Sequence, residues 1–322
     1  MVKKERMEKN SVKEKDGEFV SVKAKILDGL GGLYTAVTES GEVIKCKPRG
    51  NFRHYDISPY PGDNVSVRLR EGDIPMLAEI LPRKNFIKRP PVANIDKLFV
   101  TVAAADPEPA YITIDKLICA AEFYGITPVI IVTKADLDTV KAEELRKNYT
   151  LCGFECFVTS SVQGEGVEAV KEFIYAQSEG SVVAFAGESG VGKSSLMNAM
   201  FEGLSLQTGE TSRINRGKHT TRAVSLFPLS DEPRFDGAFV ADTPGFGIFE
   251  PAQIPEFTRD CLIPCFREFE PLLTTCRYTK CTHLREEGCK ILEAVENGEI
   301  PKSRHESYVT LYEELKNKRF VK

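Results

Sequence analysis

Residues 187–195 read Gly-Glu-Ser-Gly-Val-Gly-Lys-Ser-Ser. The run Gly187-x-x-x-x-Gly192-Lys193-Ser194 is a pattern that cradles phosphate. Glycines let backbone N–H groups, those of residues 190–194 above all, turn inward around the oxygens in a loop that Glu188, Ser189, Gly190 and Val191 line, and a helix opening at Ser194 and Ser195 adds its positive end. Lys193 is then the residue that reaches the β- and γ-phosphates, and the Ser194 hydroxyl is a ligand for Mg²⁺. A glycine-rich turn would look similar in isolation. Here the run follows the apolar stretch Ser-Val-Val-Ala-Phe-Ala and precedes Ser-Leu-Met-Asn-Ala-Met-Phe, so a strand leads in and a helix leads out, which gives the pattern its meaning.

Two further segments fit a nucleoside triphosphate. Asp242-Thr243-Pro244-Gly245 closes the apolar run Gly-Ala-Phe-Val-Ala-Asp. Asp242 there can hold Mg²⁺ through water, and the Gly245 N–H can sense a γ-phosphate, although the same four residues also make a good turn. Between the two motifs lies Arg-Ile-Asn-Arg-Gly-Lys-His-Thr-Thr-Arg, residues 213–222. A threonine in it would complete the Mg²⁺ shell while triphosphate is bound and release it after hydrolysis. Thr221, beside Arg222, is favoured over Thr220. His219 is the candidate for positioning water at the γ-phosphate, with an ordinary polar loop residue as the alternative.

Phosphate contacts cannot tell ATP from GTP. Guanine offers N1–H and N2–H₂ donors, and a carboxylate accepting both rejects adenine. No such base reader follows residue 195. One precedes it: Thr133-Lys134-Ala135-Asp136, directly after the apolar run Pro-Val-Ile-Ile-Val. Further on, backbone N–H groups at Ser160 and Ser161, with Val162 beside them, can meet guanine O6. The order along the chain is therefore base carboxylate, O6 loop, phosphate loop, Mg²⁺ threonine, Asp-x-x-Gly. That is a rotation of the usual order, a circular permutation, which is feasible because domain termini often lie close together.

A second chemistry is carried by Cys276, Cys281, His283 and Cys289, spaced C-x4-C-x-H-x5-C. Three thiolates and an imidazole suit a closed tetrahedral Zn²⁺ site, structural in type because no position is left for water. Cys261 and Cys265 are competing ligands on spacing alone, and buried free cysteines are the plainer alternative.

The elements that must position these groups can be read from the pattern. Residues 18–82 contain short alternating runs divided by Gly and Pro, the signature of a small β-barrel such as an OB-fold. Residues 80–94 read as a linker with a basic edge. From about 93 to 252, unbroken apolar runs alternate with helical stretches, as in a doubly wound α/β domain. Residues 253–322 read as helices around the cysteine cluster, with Tyr308, Leu311, Tyr312 and Leu315 forming a packing stripe. Arg304, His305 and the basic tail are candidate RNA contacts. Residues 1–16 read as a charged, disordered tail without the apolar run of a signal peptide, and no stretch approaches the ~18–20 apolar residues of a membrane span. A cytoplasmic protein making no membrane contact is expected. Its nine cysteines then favour metal binding or burial over disulfides. Residues 1–90 carry 18 basic and 13 acidic side chains and residues 276–322 carry 10 and 8, around an acidic centre. Basic ends suit a polyanion, and ordinary charge scatter remains open. On the barrel, Lys45, Lys47, Arg49, Arg53 and Tyr55 form the favoured RNA strip, mixing charge with an aromatic ring.

Taken together, Gly-Glu-Ser-Gly-Val-Gly-Lys-Ser-Ser-Leu-Met-Asn-Ala-Met, Gly-Lys-His-Thr-Thr-Arg, Asp-Thr-Pro-Gly-Phe-Gly and the cysteine cluster resemble the circularly permuted GTPases of the RsgA (YjeQ/YloQ) type, which act on the small ribosomal subunit. The resemblance covers roughly residues 18–315. It implies an N-terminal OB-fold (17–84), a permuted P-loop GTPase domain (93–252) and a C-terminal zinc domain (253–322). It also implies Zn²⁺ on Cys276, Cys281, His283 and Cys289, GTP with Mg²⁺ in the P-loop site, hydrolysis raised by the small subunit and its rRNA, and a monomer serving late maturation. Two features depart from the common GTPase pattern. Thr133 stands where most GTPases have Asn, which ties the base loop to the phosphate loop, so lower affinity is expected, with Asp136 still providing the base choice. Phe246 stands where Ras-like proteins place a water-positioning Gln, a replacement the family shares, so intrinsic hydrolysis should be slow. An RNA-binding factor with a nearly inactive nucleotide site, or a permuted GTPase of the large subunit, are the alternative functions.

Overall fold

A computed structural model of the chain describes residues 19–50, 58–176, 180–201, 224–229, 235–242, 251 and 254–316. The N-terminal strands are β1 (Val20–Leu30), β2 (Leu33–Thr38), β3 (Val43–Pro48), β4 (Asn64–Leu69) and β5 (Met76–Ile80), closed as a barrel in the order β1-β2-β3-β5-β4. Alternation sets which side faces in. In β3, Ile44 and Cys46 are buried while Lys45 and Lys47 face solvent, the period of two that a strand imposes. Ala24, Ile26, Ala36, Ile44, Cys46, Val65, Val67 and Leu77 fill the barrel. A register shift between Ile26 and Asp28 bends β1, which pairs with β2 along one edge and β4 along the other.

The stretch expected to be a linker is folded instead. It forms the hairpin β6 (Phe86–Lys88) and β7 (Pro91–Ala93), whose Ile87, Val92 and Ala93 are buried. Its apolar residues join the same core as the central sheet, and its basic edge is spent on structure. Arg83 makes paired hydrogen bonds to the Asp63 carboxylate, the Nε donating at 2.6 Å and an NH₂ at 2.7 Å.

The central sheet holds β8 (Lys97–Ala103), β9 (Thr127–Thr133), β10 (Glu155–Val158), β11 (Val182–Ala186), β12 (Ser225–Pro228) and β13 (Phe239–Asp242), in the order β10-β9-β8-β11-β13-β12. All pairings are parallel except the edge pair β12–β13. Helices α1 (Tyr111–Phe123) and α2 (Thr139–Leu151) cover one face, meeting Leu98, Val100 and Val102. On the other face α3 (Val167–Tyr175) and α4 (Lys193–Met200) meet Phe99, Val129 and Ile131. Strands buried on both faces read as continuous apolar runs, which is why they were legible. The short strand β12 was not.

The C-terminal part consists of short 3-10 turns between Arg259 and Leu272 followed by α5 (Lys290–Glu296) and α6 (Lys302–Lys316). Tyr308, Leu311 and Leu315 are buried and Tyr312 packs against them, as the stripe predicts. Arg304 and His305 are not RNA contacts. Arg304 is 1% exposed; its guanidinium donates to Asp115 on α1 at 2.7 Å and to Glu268 at 2.7 Å, and it packs on the Phe266 ring. His305 is buried and its Nε2 meets the His283 carbonyl at 2.7 Å. The long side chains turn inward because two buried carboxylates and a buried carbonyl need donors.

One buried cation crosses from barrel to sheet. Lys25 of β1 is 2% exposed, donates from Nζ to Asn64 Oδ1 at 2.9 Å, and lies over the rings of Phe235 and Phe239, at 5.4 and 5.8 Å from their centroids. Burial lowers its pKa to about 8, with the charges of Asp96 and Asp63 opposing and that of Lys84 assisting.

Candidate functional site

Parallel strands end at a common edge, and ligands of such sheets gather there. Four of the sequence motifs converge on it. The phosphate loop leaves β11, Thr133 ends β9, Ser160 follows β10, and Asp242 ends β13. Gly187 has φ +146° and Gly192 has φ +94°. A Cβ on Gly187 would lie against the Thr101 carbonyl of β8, inside van der Waals contact, so the loop's first glycine is required by the neighbouring strand as much as by phosphate.

Lys193 lies folded back across the loop. Its Nζ donates to the carbonyls of Gly187 at 2.8 Å and Glu188 at 2.6 Å. Burial depresses its pKa to about 8, against the attraction of Glu188. Both carbonyls belong to the loop that wraps a phosphate, so an arriving phosphate competes with them for the ammonium. Ser194 and Ser195 open α4 behind it.

Thr133 reaches the phosphate loop. Its hydroxyl lies within hydrogen-bonding reach of the Val102 carbonyl, at 3.1 Å, and of the Val191 carbonyl in the phosphate loop. Threonine therefore still ties the base loop to the phosphate loop. It manages this because Gly192 brings the phosphate loop alongside, with the Thr133 side chain about one van der Waals contact from where a Cβ would stand. Lys134 adopts φ +54° and reaches the Asp106 carbonyl. Asp136 is half-buried, and among the described residues nothing hydrogen-bonds its carboxylate. The base loop is pinned to the next one by Ala135 N–H to Thr159 O at 3.2 Å.

At the O6 loop the two candidate N–H groups separate. Ser160 N–H donates to Glu165 O at 2.9 Å, so it is spent within the loop. The Ser160 hydroxyl accepts from Gln163 N–H at 3.2 Å. Among the described residues nothing accepts from the Ser161 N–H, and the Val162 side chain is exposed beside it. His219, Thr220, Thr221 and Gly245 lie outside the described residues, as do Arg53 and Tyr55. Asp242 is placed by its strand, paired with Ser225.

Cys276, Cys281, His283 and Cys289 come together with their donor atoms all within 4.8 Å of one another. His283 Nδ1 lies 3.7 Å from Cys276 Sγ and 3.5 Å from Cys289 Sγ, and the two sulfurs are 4.0 Å apart. A tetrahedron with Zn–S bonds of about 2.3 Å has edges of about 3.8 Å, so the donor set fits a metal of that size. Cys261 and Cys265 are not in the cluster. The sequence did not single out Glu286, which organises the loop carrying these ligands. Despite burial, hydrogen bonds from Thr282, Leu284 and Arg285 backbone N–H groups and the Thr282 hydroxyl pull its pKa to about 2. The pair Glu286-Glu287 gave no signal of which carboxylate turns inward. On the far side, α6 grips the same loop, Tyr308 donating to Thr282 O at 2.9 Å and His305 meeting His283 O.

The sequence matches the RsgA GTPase family over residues 80–252 and the RsgA N-terminal domain over residues 23–74. The chain belongs to the RsgA GTPase family. It is 41% identical over 296 residues to the small ribosomal subunit biogenesis GTPase RsgA of Ruminiclostridium cellulolyticum, covering 91% of this chain and 93% of that one. With the protein of the same name from Caldanaerobacter subterraneus it shares 40% identity over 299 residues, covering 92% and 97%. Among solved structures, YjeQ from Thermotoga maritima superposes with a TM-score of 0.79 at 34% identity, covering 93% of this chain and all of that one. YloQ, described as a circularly permuted GTPase, gives 0.74 at 27% identity, covering 93% and 96%. An RsgA-type GTPase hydrolyses GTP, and the base half of its site precedes the phosphate half here too.

Proposed function

We propose that this GTPase couples its nucleotide state to binding and late maturation of the small ribosomal subunit, and that the subunit raises its turnover. The observation carrying the reading is the hydrogen bond from Thr133 to the Val191 carbonyl, which joins a guanine-type carboxylate loop to a phosphate loop in rotated order. The names carried by the relatives supply the particle. Asp136 reads the guanine donors and Ser161 N–H meets O6. The N–H groups of residues 190–194 and the Lys193 ammonium hold the phosphates, with Gly245 N–H at the γ-phosphate. Mg²⁺ would be held by Ser194 and Thr221, and by Asp242 through water, and when bound it neutralises charge on the β- and γ-oxygens. With Phe246 offering no hydrogen bond to water, His219 is the side chain assigned to orient it, and docking on the subunit completes the arrangement. Zn²⁺ is the metal assigned to Cys276, Cys281, His283 and Cys289, where it holds the C-terminal part together. The barrel meets rRNA, and the protein acts as a cytoplasmic monomer.

The test is GTP turnover by the purified protein alone and with purified small or large subunits. The expected result is a rise of orders of magnitude with the small subunit only, abolished by Lys193→Ala. An unchanged low rate despite tight binding would make the protein a nucleotide-dependent RNA binder, and activation by the large subunit would assign the wrong particle.

A further inference from the structure

The barrel strip expected from the sequence runs along β3, but strand register extends it sideways. Lys47 of β3 pairs with Met76 of β5, Met76 pairs with Arg68 of β4, and Arg68 pairs with Ser21 of β1. Residues in register share a face, and Lys47 and Ser21 at the two ends of this row point to solvent. One pleat along, the same outer face carries Lys45 on β3, while Arg70 and Phe19 extend β4 and β1 beyond the row. The Phe19 ring is 40% exposed and lies beside both guanidiniums, 5.9 Å from Arg68 Cζ and 5.7 Å from Arg70 Cζ. Among the described residues of the barrel it is the exposed aromatic ring. Acidic side chains near the band among the described residues include Glu71, next to Arg70 in the chain, Asp73, which pairs with Arg70 at 3.6 Å, and Glu79, opposite Ser66, which bounds the row on the side toward Lys25. The Arg70–Asp73 pair is solvent-exposed, and such a pair gives way readily to a phosphate.

We propose that this band, from Lys45 and Lys47 across Met76 to Arg68, Arg70 and Phe19, is a binding surface for single-stranded RNA and that Phe19 stacks an unpaired base. The inference rests on the reading of rRNA as a partner and names where and how it is held. Guanidiniums grip phosphates and flank a stacked base. A ring left half in water on the same face supplies the stacking surface. A duplex cannot use it, because its bases are already stacked.

The experiment uses the full-length protein and a labelled twelve-nucleotide oligouridylate, with a twelve-base-pair RNA duplex as the comparison, titrated over a salt series. Phe19→Ala is expected to weaken single-strand binding roughly five- to hundredfold without changing the salt slope, and Phe19→Trp to restore it. Arg68→Gln with Arg70→Gln should flatten the slope of log K against log salt by about 1.4. Duplex affinity should not respond to Phe19→Ala. Equal oligonucleotide binding by wild type and Phe19→Ala, or equal losses on strand and duplex, overturns the proposal. So does loss of subunit binding in Phe19→Ala with oligonucleotide binding intact, which would place a protein on the ring. Subunit-stimulated turnover, measured separately, decides the broader reading whatever the outcome here.

Discussion

Lys193 donates to two carbonyls of its own loop, and burial holds its pKa at about 8. Phosphates arriving beside it favour the charged form, so its pKa is higher in the complex than in the free protein. Below about pH 8 the lysine is protonated in both states, and affinity is flat. Above about pH 8 the free loop has lost a proton that the complex must recover, so binding takes up a proton and affinity falls by up to about tenfold per pH unit. Titration calorimetry in buffers of different ionisation heat should show proton uptake rising toward one per nucleotide near pH 9. Affinity unchanged from about pH 7.5 to 9.5 would mean that another cation carries the phosphate. The residue scale is also where the sequence was most legible. Phosphate loops need particular residue types at fixed spacing, so Gly187, Gly192 and Lys193 announce themselves. The Thr133 cross-tie did not, because it depends on how near Gly192 brings the phosphate loop, a distance set by the strands.

The elements divide in the same way. Strands buried on both faces and alternating barrel strands write their environment into the chain, whereas β12, four residues at a sheet edge, has too few positions to show a period. Helix α6 shows the limit from the other side. Its apolar stripe was readable, but Arg304 was misread as a surface group because its partners, Asp115 and Glu268, are distant in sequence. That helix joins α1 of the GTPase part to the metal loop. Arg304→Met would leave two buried carboxylates without their cation, and removing one partner of such a group costs about 3–5 kcal/mol. Denaturant unfolding should show a loss of that size in the C-terminal transition. Adding Asp115→Asn and Glu268→Gln should recover most of it. A loss below about 1 kcal/mol would mean that water reaches the carboxylates.

For the molecule as a whole, the barrel and the GTPase sheet meet at Lys25. Its folded pKa, about 8, lies below the ordinary 10.5. Below about pH 8 the lysine is protonated folded and unfolded, and burying the charge offsets stability in full. Between about 8 and 10.5 the unfolded chain holds more proton than the folded one, so this group's contribution rises with pH. Lys25→Met should therefore be the more stable form at pH 7, by on the order of 3 kcal/mol, and the gap should close toward pH 10. Urea unfolding of both proteins at the two pH values measures it, and a gap that does not change with pH would sink the argument. The strand order has a consequence for synthesis. Because β8, β9 and β10 all precede β11 in the chain, a ribosome completes the half assigned to the base before making the half assigned to the phosphates. No nascent chain that ends short of Ser194 carries both halves, so nucleotide held at base and phosphates together cannot assist the early folding of this sheet and acts on it only once more than half of the protein has been translated.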